Sequence, residues 1–182
     1  MPLTAIGIKQ AQEASEKIKQ SGIAFDLVFA SPLQRVFKTA EIICSTLHIN
    51  PPIAEEILIE RDFGVMTGQP VTSILERCLP DVLQTDHINF FLHPEGSESF
   101  PDLMKRARVL IDRLDAEYEN KNILLATHGD MGQMIYAQYY HLDWENVLKS
   151  FHFGNSELLL LSEKSPADEA HVFKIQQHNV SK

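Results

Sequence analysis

Positive charge is in short supply in this sequence: 16 Lys and Arg stand against 25 Asp and Glu, a formal net charge of -9 at pH 7. Contact with a nucleic-acid backbone needs a basic face, so no nucleic-acid partner is expected. An acidic chain can still hold a phosphate if it builds a local positive pocket. Cysteine is scarce as well, with only Cys44 and Cys78. Two thiols without a dense framework point to a reducing cytoplasm, and no structural disulfide is expected. No apolar run approaches the length that spans a bilayer, and Met1 is not followed by a basic segment and an apolar core. Neither a membrane partner nor a secretory leader is therefore expected. Several chemical signatures are also missing. There is no His-Glu-x-x-His or paired Cys-x-x-Cys, so no metal site is predicted. There is no phosphate-cradling Gly-rich loop followed by Lys and no dinucleotide fingerprint, so no cofactor is predicted. Gly-x-Ser-x-Gly is absent, which argues against an α/β-hydrolase serine.

What is present is a chain of 182 residues, 44% hydrophobic, enough for one domain over residues 1–182 with a real core. Thr4 is placed to cap a helix whose apolar positions are Ile8, Ala11, Ala14 and Ile18, ending at Ser21-Gly22. Leu27-Val28-Phe29-Ala30 reads as a strand buried on both faces. Ser31 is a good N-cap and Pro32 a good first residue for a second helix with Val36, Ala40, Ile43, Cys44 and Leu47 on one face, stopped by Asn50-Pro51-Pro52. Ile57-Leu58-Ile59 is the next strand candidate. Residues 64–96 lack clear periodicity beyond a short amphipathic piece at Ile74-Leu75, and read as a loop-rich, lid-like excursion. Ser99 and Asp102 cap a helix with Phe100, Leu103, Ala107, Leu110, Leu114 and Tyr118 on its apolar stripe. Ile123-Leu124-Leu125-Ala126 is a strand, Met131, Met134, Ile135 and Tyr139 mark another helix, and Leu158–Leu161 and Val172–Ile175 are late strands. The alternation of strands and helices predicts an α/β fold with a mostly parallel sheet.

Three side chains sit just past apolar runs, where ligands gather in such sheets. Arg35 falls in the first turn of the second helix, where a phosphate would meet free backbone N–H groups and a guanidinium. The competing reading is a solvated surface arginine. His128 follows a buried strand and precedes Gly129, and a positioned imidazole there would hold a phosphoryl oxygen or stabilise developing charge. The alternative is a hydrogen-bonded structural histidine. Glu60 would serve as a general acid if burial raised its pKa, and otherwise as half of a salt bridge with Arg61 or another base.

These segments, taken in order, resemble the histidine phosphatase superfamily, which includes the cofactor-dependent phosphoglycerate mutases. Pro2-Leu3-Thr4 with Gly7 and Gln10-Ala11 is similar to the family's first helix start. Ser31-Pro32-Leu33-Gln34-Arg35 with Thr39-Ala40 resembles its phosphate-binding segment. Glu60-Arg61-Asp62-Phe63-Gly64 with Gly68 resembles its general-acid segment, Gly96-Ser97-Glu98-Ser99 its Gly-Glu-Ser helix start, and Thr127-His128-Gly129 its second-histidine motif; Asn155 also fits. The resemblance implies a three-layer α/β/α sandwich, Arg35 and His128 as phosphate-binding residues, and Glu60 and His128 as catalytic residues. It implies a small phosphorylated substrate or inorganic phosphate as ligand, and hydrolysis of a phosphomonoester through a phosphohistidine. The family's nucleophile lies in an Arg-His-Gly motif on a first, interior strand, and no such motif occurs here. The expectation is therefore a chain truncated ahead of Met1, inactive or strongly impaired as it stands. An unpaired strand edge left by that absence would promote a homodimer. A pseudoenzyme that binds a phosphorylated ligand or a protein partner, and a phosphoglycerate mutase, are the alternatives; the short span from Glu60 to Gly96 favours a phosphatase over a mutase. Asp130 and Gln133 are expected to make the pocket less positive than in relatives.

Overall fold

The computed structural model describes residues 2–85 and 88–164, together with the backbone of 172–173. Three strands form a parallel sheet in the order β2-β1-β5: β1 is Leu27–Ala30, β2 is Ile53–Ala54 and β5 is Ile123–Ala126. Phe29 is the shared register point, opposite Ile53 on one side and Leu125 on the other. Alternation along these strands feeds two cores. Val28, Ala30 and Leu124 pack with Ile18, Ala40, Ile43 and Cys44, from helices α1 (Ala5–Ser21) and α2 (Gln34–Leu47). Leu27, Phe29, Ile123 and Leu125 turn to the other face, against α4 (Phe100–Glu117) and α5 (Gly129–Tyr139), where Leu103, Leu110, Met131 and Met134 are almost wholly buried. The result is the expected α/β/α layering.

The helix ends follow their local chemistry. The Thr4 hydroxyl accepts from the Gly7 N–H at 3.1 Å, and Gly22 closes α1 in the left-handed region at φ 72°. Ile8 lies outside the buried face that Ala11, Ala14 and Ile18 form, and Gln10 and Ser15 join it; the Ser15 hydroxyl is satisfied by the Ala11 carbonyl. Ser99 caps α4 as anticipated, accepting from the Asp102 N–H at 3.2 Å.

Two expectations fail. Ser31 does not cap α2, which begins at Gln34 behind Leu33; its hydroxyl accepts from the Leu33 N–H at 3.3 Å, ahead of the helix, and also meets His128, as described below. Ile57-Leu58-Ile59 is not a strand. The Glu55 carboxylate caps the Ile57 N–H at 3.1 Å and turns Glu56–Leu58 into a 3-10 helix, and the strand lies earlier, at Ile53–Ala54. Three consecutive aliphatics imitate a strand buried on both faces, but only Leu58 is wholly buried. Ile53 and Ala54 are exposed on the sheet edge and give no apolar signal.

The segment from Gly64 to Gly96 is more ordered than its sequence suggests. It holds 3-10 turns at Gly64–Met66 and Val71–Ser73, helix α3 (Ile74–Cys78) and an antiparallel pair, β3 (Val82–Gln84) with β4 (Asn89–Phe91). Its two ends are tied together: Phe63 and Ser97 form an isolated bridge, Val65 N–H donates to Glu95 O at 3.0 Å, and Glu98 N–H to Asp62 O at 2.9 Å. Helix α6 (Trp144–Ser150) packs on α5 and leads to β6 (Leu158–Leu159), which pairs antiparallel with β7 (Val172–Phe173) in a separate two-stranded sheet. Both late strands were expected; β6 is shorter than its apolar run, and the rest of the second expected strand, residues 174–175, lies outside the described residues. Among the described residues β5 pairs only with β1. Cys44 and Cys78 are buried free thiols in different clusters.

Gly64 makes the tied neck possible. Its φ is +52°, and a Cβ there would lie 2.2 Å from the Glu95 carbonyl oxygen and 2.5 Å from the Ser97 nitrogen. Gly68 is equally left-handed, at φ +77°, but its missing Cβ faces open space. Gly68→Ala is expected to cost only the backbone term of about 1–2 kcal/mol, whereas Gly64→Ala adds a backbone clash for a total of about 3 kcal/mol or more. Urea unfolding of the two variants checks the ranking.

Candidate functional site

Parallel pairing of β1 and β5 sets the site. Each strand ends at the same edge of the sheet, and the Ser31 N–H still donates to Ala126 O at 2.9 Å as the chains leave it. One residue beyond Thr127, His128 becomes the N-cap of α5; four residues beyond Ser31, Arg35 stands in the first turn of α2. An Arg35 Nη2 hydrogen points at His128 Nδ1, 2.9 Å away, and His128 Nε2 lies 2.9 Å from Ser31 Oγ. A guanidinium can only donate, so Nδ1 is the acceptor and the ring proton sits on Nε2, donated to the fully buried Ser31 hydroxyl. Burial first, then the charges of Arg35 and Arg106, push the His128 pKa down to about 4. The imidazole is neutral at physiological pH and its tautomer is fixed.

Glu60 reaches the same helix end from the other side. Its Oε1 accepts from the Arg61 N–H at 3.0 Å and from the Met131 N–H, in the first turn of α5, at 3.3 Å. The Thr127 hydroxyl donates to Leu58 O at 2.8 Å, which fixes β5 to the turn that carries Glu60. Burial, and next the charge of Asp130, raise the Glu60 pKa to about 7, against the opposing pull of the Arg61 and Met131 amides and the Arg61 charge. Arg35, His128 and Glu60 thus meet at the N-termini of α2 and α5, where backbone dipoles favour an anion.

The salt bridge offered as the alternative for Glu60 has a different owner. Arg61, 3% exposed, directs Nε to Asp130 Oδ2 at 2.8 Å and Nη1 to Glu98 O at 3.3 Å. Its guanidinium carbon lies 4.2 Å from the ring centre of Phe100 and 4.4 Å from that of Phe91, with Phe63 further out at 5.4 Å. Gln133 is fully buried and its amide donates to Phe151 O, so it belongs to the packing behind α5 and does not line the Arg35–His128 face as expected. Asp130 does stand at the site, where it pairs with Arg61.

Arg106 was not foreseen. From α4 its Nη2 donates to Ile59 O at 2.7 Å and pairs with Glu98 Oε2 at 3.4 Å, so it fixes the backbone immediately before Glu60. The available signal was a basic residue set three positions after Leu103 and beside Ala107, on the rim of a buried stripe. Of the remaining histidines, His93 pairs with Asp81 at the surface, His48 ends α2, and His152 packs edge-on to Phe90; His87, His171 and His178 lie outside the described residues. Among the described residues no group of three or more His, Cys, Asp or Glu is arranged to hold a metal ion, and no helix is long and apolar enough to cross a membrane. An open cavity of about 500 Å³ adjoins the Pro32–Gln34 turn, between the first turns of α1 and α2, lined by Pro2, Leu3, Pro32, Gln34, Phe37 and Lys38 among others.

A guanidinium, a neutral imidazole and a carboxyl of raised pKa thus lie at one sheet end of a three-layer α/β/α sandwich. The chain belongs to the histidine phosphatase superfamily (branch 1), which it matches over residues 1–173. It is similar to a 2,3-bisphosphoglycerate-dependent phosphoglycerate mutase of Methylobacterium sp. (strain 4-46), 33% identical over 70% of this chain and 64% of the relative. An uncharacterised phosphatase, PhoE, of Bacillus subtilis (strain 168) is 32% identical over 71% of this chain and 60% of its own length. The chain therefore spans under two thirds of these curated relatives. Among solved structures, a mycobacterial glucosyl-3-phosphoglycerate phosphatase superposes with a TM-score of 0.67 at 20% identity, covering 94% of this chain and 85% of that one. The same phosphatase has been solved with inorganic phosphate and with VO3. Bacillus stearothermophilus YhfR gives 0.69 at 18% identity, covering 94% and 83%. These likenesses establish the fold.

The neutral His128 makes a pH prediction. Its folded pKa lies below the 6.5 of a free imidazole. Above pH 6.5 the histidine is neutral in both states and its effect is constant. As pH falls from 6.5 towards 4 the unfolded chain takes up a proton that the folded chain refuses, and stability is lost. Against a His128→Gln variant, urea midpoints of the parent are expected to decline more steeply across that window.

Proposed function

We propose that this chain binds a phosphoryl group at Arg35 and His128, with Glu60 as the proton donor to a leaving oxygen, as part of a phosphomonoesterase site. The observation that carries the reading is the 2.9 Å contact between Arg35 and His128 at two helix N-termini, with Glu60 on the same helix end. A phosphate arriving there takes the Arg35 donors now spent on the ring, and these are charge-assisted bonds. The Nε2 proton of His128, held by Ser31, makes the imidazole a neutral polar wall. An incoming dianion raises its proton affinity and turns it into a stabiliser of transition-state charge. A carboxyl that stays protonated towards neutrality suits the release of an alkoxide as an alcohol. The excursion at 64–96 is the wall over this end of the sheet.

Relatives named both as phosphoglycerate mutases and as a phosphatase support phosphoryl chemistry in general, and the short excursion favours hydrolysis over mutase transfer. The attacking step requires an imidazole that the sequence does not offer in Arg-His-Gly form. The chain as given is therefore read as a phosphate binder with weak turnover, acting in the cytoplasm in keeping with two free thiols. Titration calorimetry with inorganic phosphate is expected to give saturable binding that Arg35→Gln weakens at least tenfold, about 1.4 kcal/mol. Absence of any phosphate heat in the folded protein refutes the ligand assignment. A chromogenic phosphate ester is expected to turn over orders of magnitude more slowly than with an enzyme that keeps its nucleophile. Efficient turnover would overturn the impairment.

Among the described residues β5 is paired on one side only, and this supports a second, independent property. In a parallel ladder alternate residues face alternate neighbours; Asn122 and Ala126 carbonyls face β1, so Ile123 and Leu125 present theirs outward. We infer self-association through this edge. Light scattering across a concentration series should show a dimer, and a monomer throughout the series rules this out.

A further inference from the structure

The charges around Glu60 do not balance. On this side of α5 two guanidiniums, Arg61 and Arg106, face three carboxyls, Glu60, Asp130 and Glu98. Arg106 comes from α4 and pairs with Glu98 at 3.4 Å. Arg61 comes from the residue next to Glu60 and pairs with Asp130 at 2.8 Å. From α5 the nearby His128 is neutral, and Arg35 of α2 is turned to the His128 ring. Glu60 is the carboxyl left over, held only by the Arg61 and Met131 amides.

The geometry of Arg61 explains why the leftover carboxyl is Glu60. Its own backbone N–H reaches Glu60 Oε1, so the two residues are in contact, yet the side chain leaves in another direction. Stacking between the Phe91 and Phe100 rings fixes the guanidinium plane, and a carboxylate at one edge, Asp130, and a carbonyl at another, Glu98 O, fix its rotation. We propose that Asp130 is a positioning residue for Glu60: it holds the Arg61 guanidinium away from the Glu60 carboxyl, which is thereby left without a paired cation. Asp130 also places a second negative charge beside that carboxyl, which opposes ionisation in the same sense. The inference rests on the reading of Glu60 as a proton donor only for its use, not for its physics.

The test is carboxyl-carbon NMR on the full chain labelled at glutamate, with Glu60→Gln to assign the resonance. Glu60 of the parent is expected to titrate near neutrality, well above the ordinary carboxylate range. In Asp130→Asn, whose side-chain oxygen can still accept from Arg61, the midpoint is expected to fall by a pH unit or more, a tenfold loss of the protonated form. In Asp130→Glu, which restores the charge, the midpoint is expected to stay raised. A parent midpoint in the ordinary range overturns the proposal, and so does an unchanged midpoint in folded Asp130→Asn. If Asp130→Asn does not fold, Asp130→Glu decides: a midpoint that drops to the ordinary range overturns the proposal. None of these readings involves phosphate. Failed phosphate calorimetry beside a raised, Asp130-dependent Glu60 sinks the phosphoryl assignment alone, and the reverse result sinks the positioning role alone.

Discussion

The parallel register between β1 and β5 is the constraint on which the rest of this structure depends. Four paired positions, from Leu27 opposite Ile123 to Ala30 opposite Ala126, bring the two strands to the sheet edge together. Because side chains alternate, a slip by one residue would exchange the two cores, sending Phe29 towards α1 and α2 and Val28 towards α4 and α5. It would also separate Ser31 from His128. The site is thus a by-product of core packing: bulky Phe29 on one face and small Ala30 on the other select the register, and the register delivers a hydroxyl, a guanidinium and an imidazole to one place.

Around that fixed point the electrostatics are arranged in opposite senses. His128 is held uncharged by burial and by neighbouring cations, while Glu60 is held uncharged by burial and a neighbouring anion. Burial thus favours the uncharged form of both side chains, beside helix ends that favour negative charge. Such paired, opposed shifts fit the proton-donor role proposed for Glu60.

Much of this was legible in the sequence. Thr4, Ser99 and Gly22 announce helix ends through local chemistry, and the LVFA and ILLA runs are strands because both faces are covered. Arg35 and His128 could be picked out because they directly follow such runs. What escaped notice depends on contacts distant in sequence. Ile57–Ile59 looked like a strand because apolarity alone cannot separate a half-buried 3-10 turn from an extended segment. The β3–β4 pair is invisible to periodicity because each strand is three residues long. Arg106 acts through a backbone carbonyl 47 positions away, and the side chain that matches Arg61 lies 69 positions on, so no local pattern encodes either. Gln133 misled because its place at the pocket was carried over from the family resemblance, which does not say which face α5 buries.

The aromatic sandwich around Arg61 draws on three parts of the chain: Phe63 at the neck of the excursion, Phe91 on its hairpin and Phe100 at the head of α4. A cation clasped by rings from separate segments works as a mechanical coupling, since its grip depends on all of them staying in place. Loosening the hairpin would release the guanidinium towards the nearest free carboxylate. The seating of the hairpin and the acidity of Glu60 would then change together.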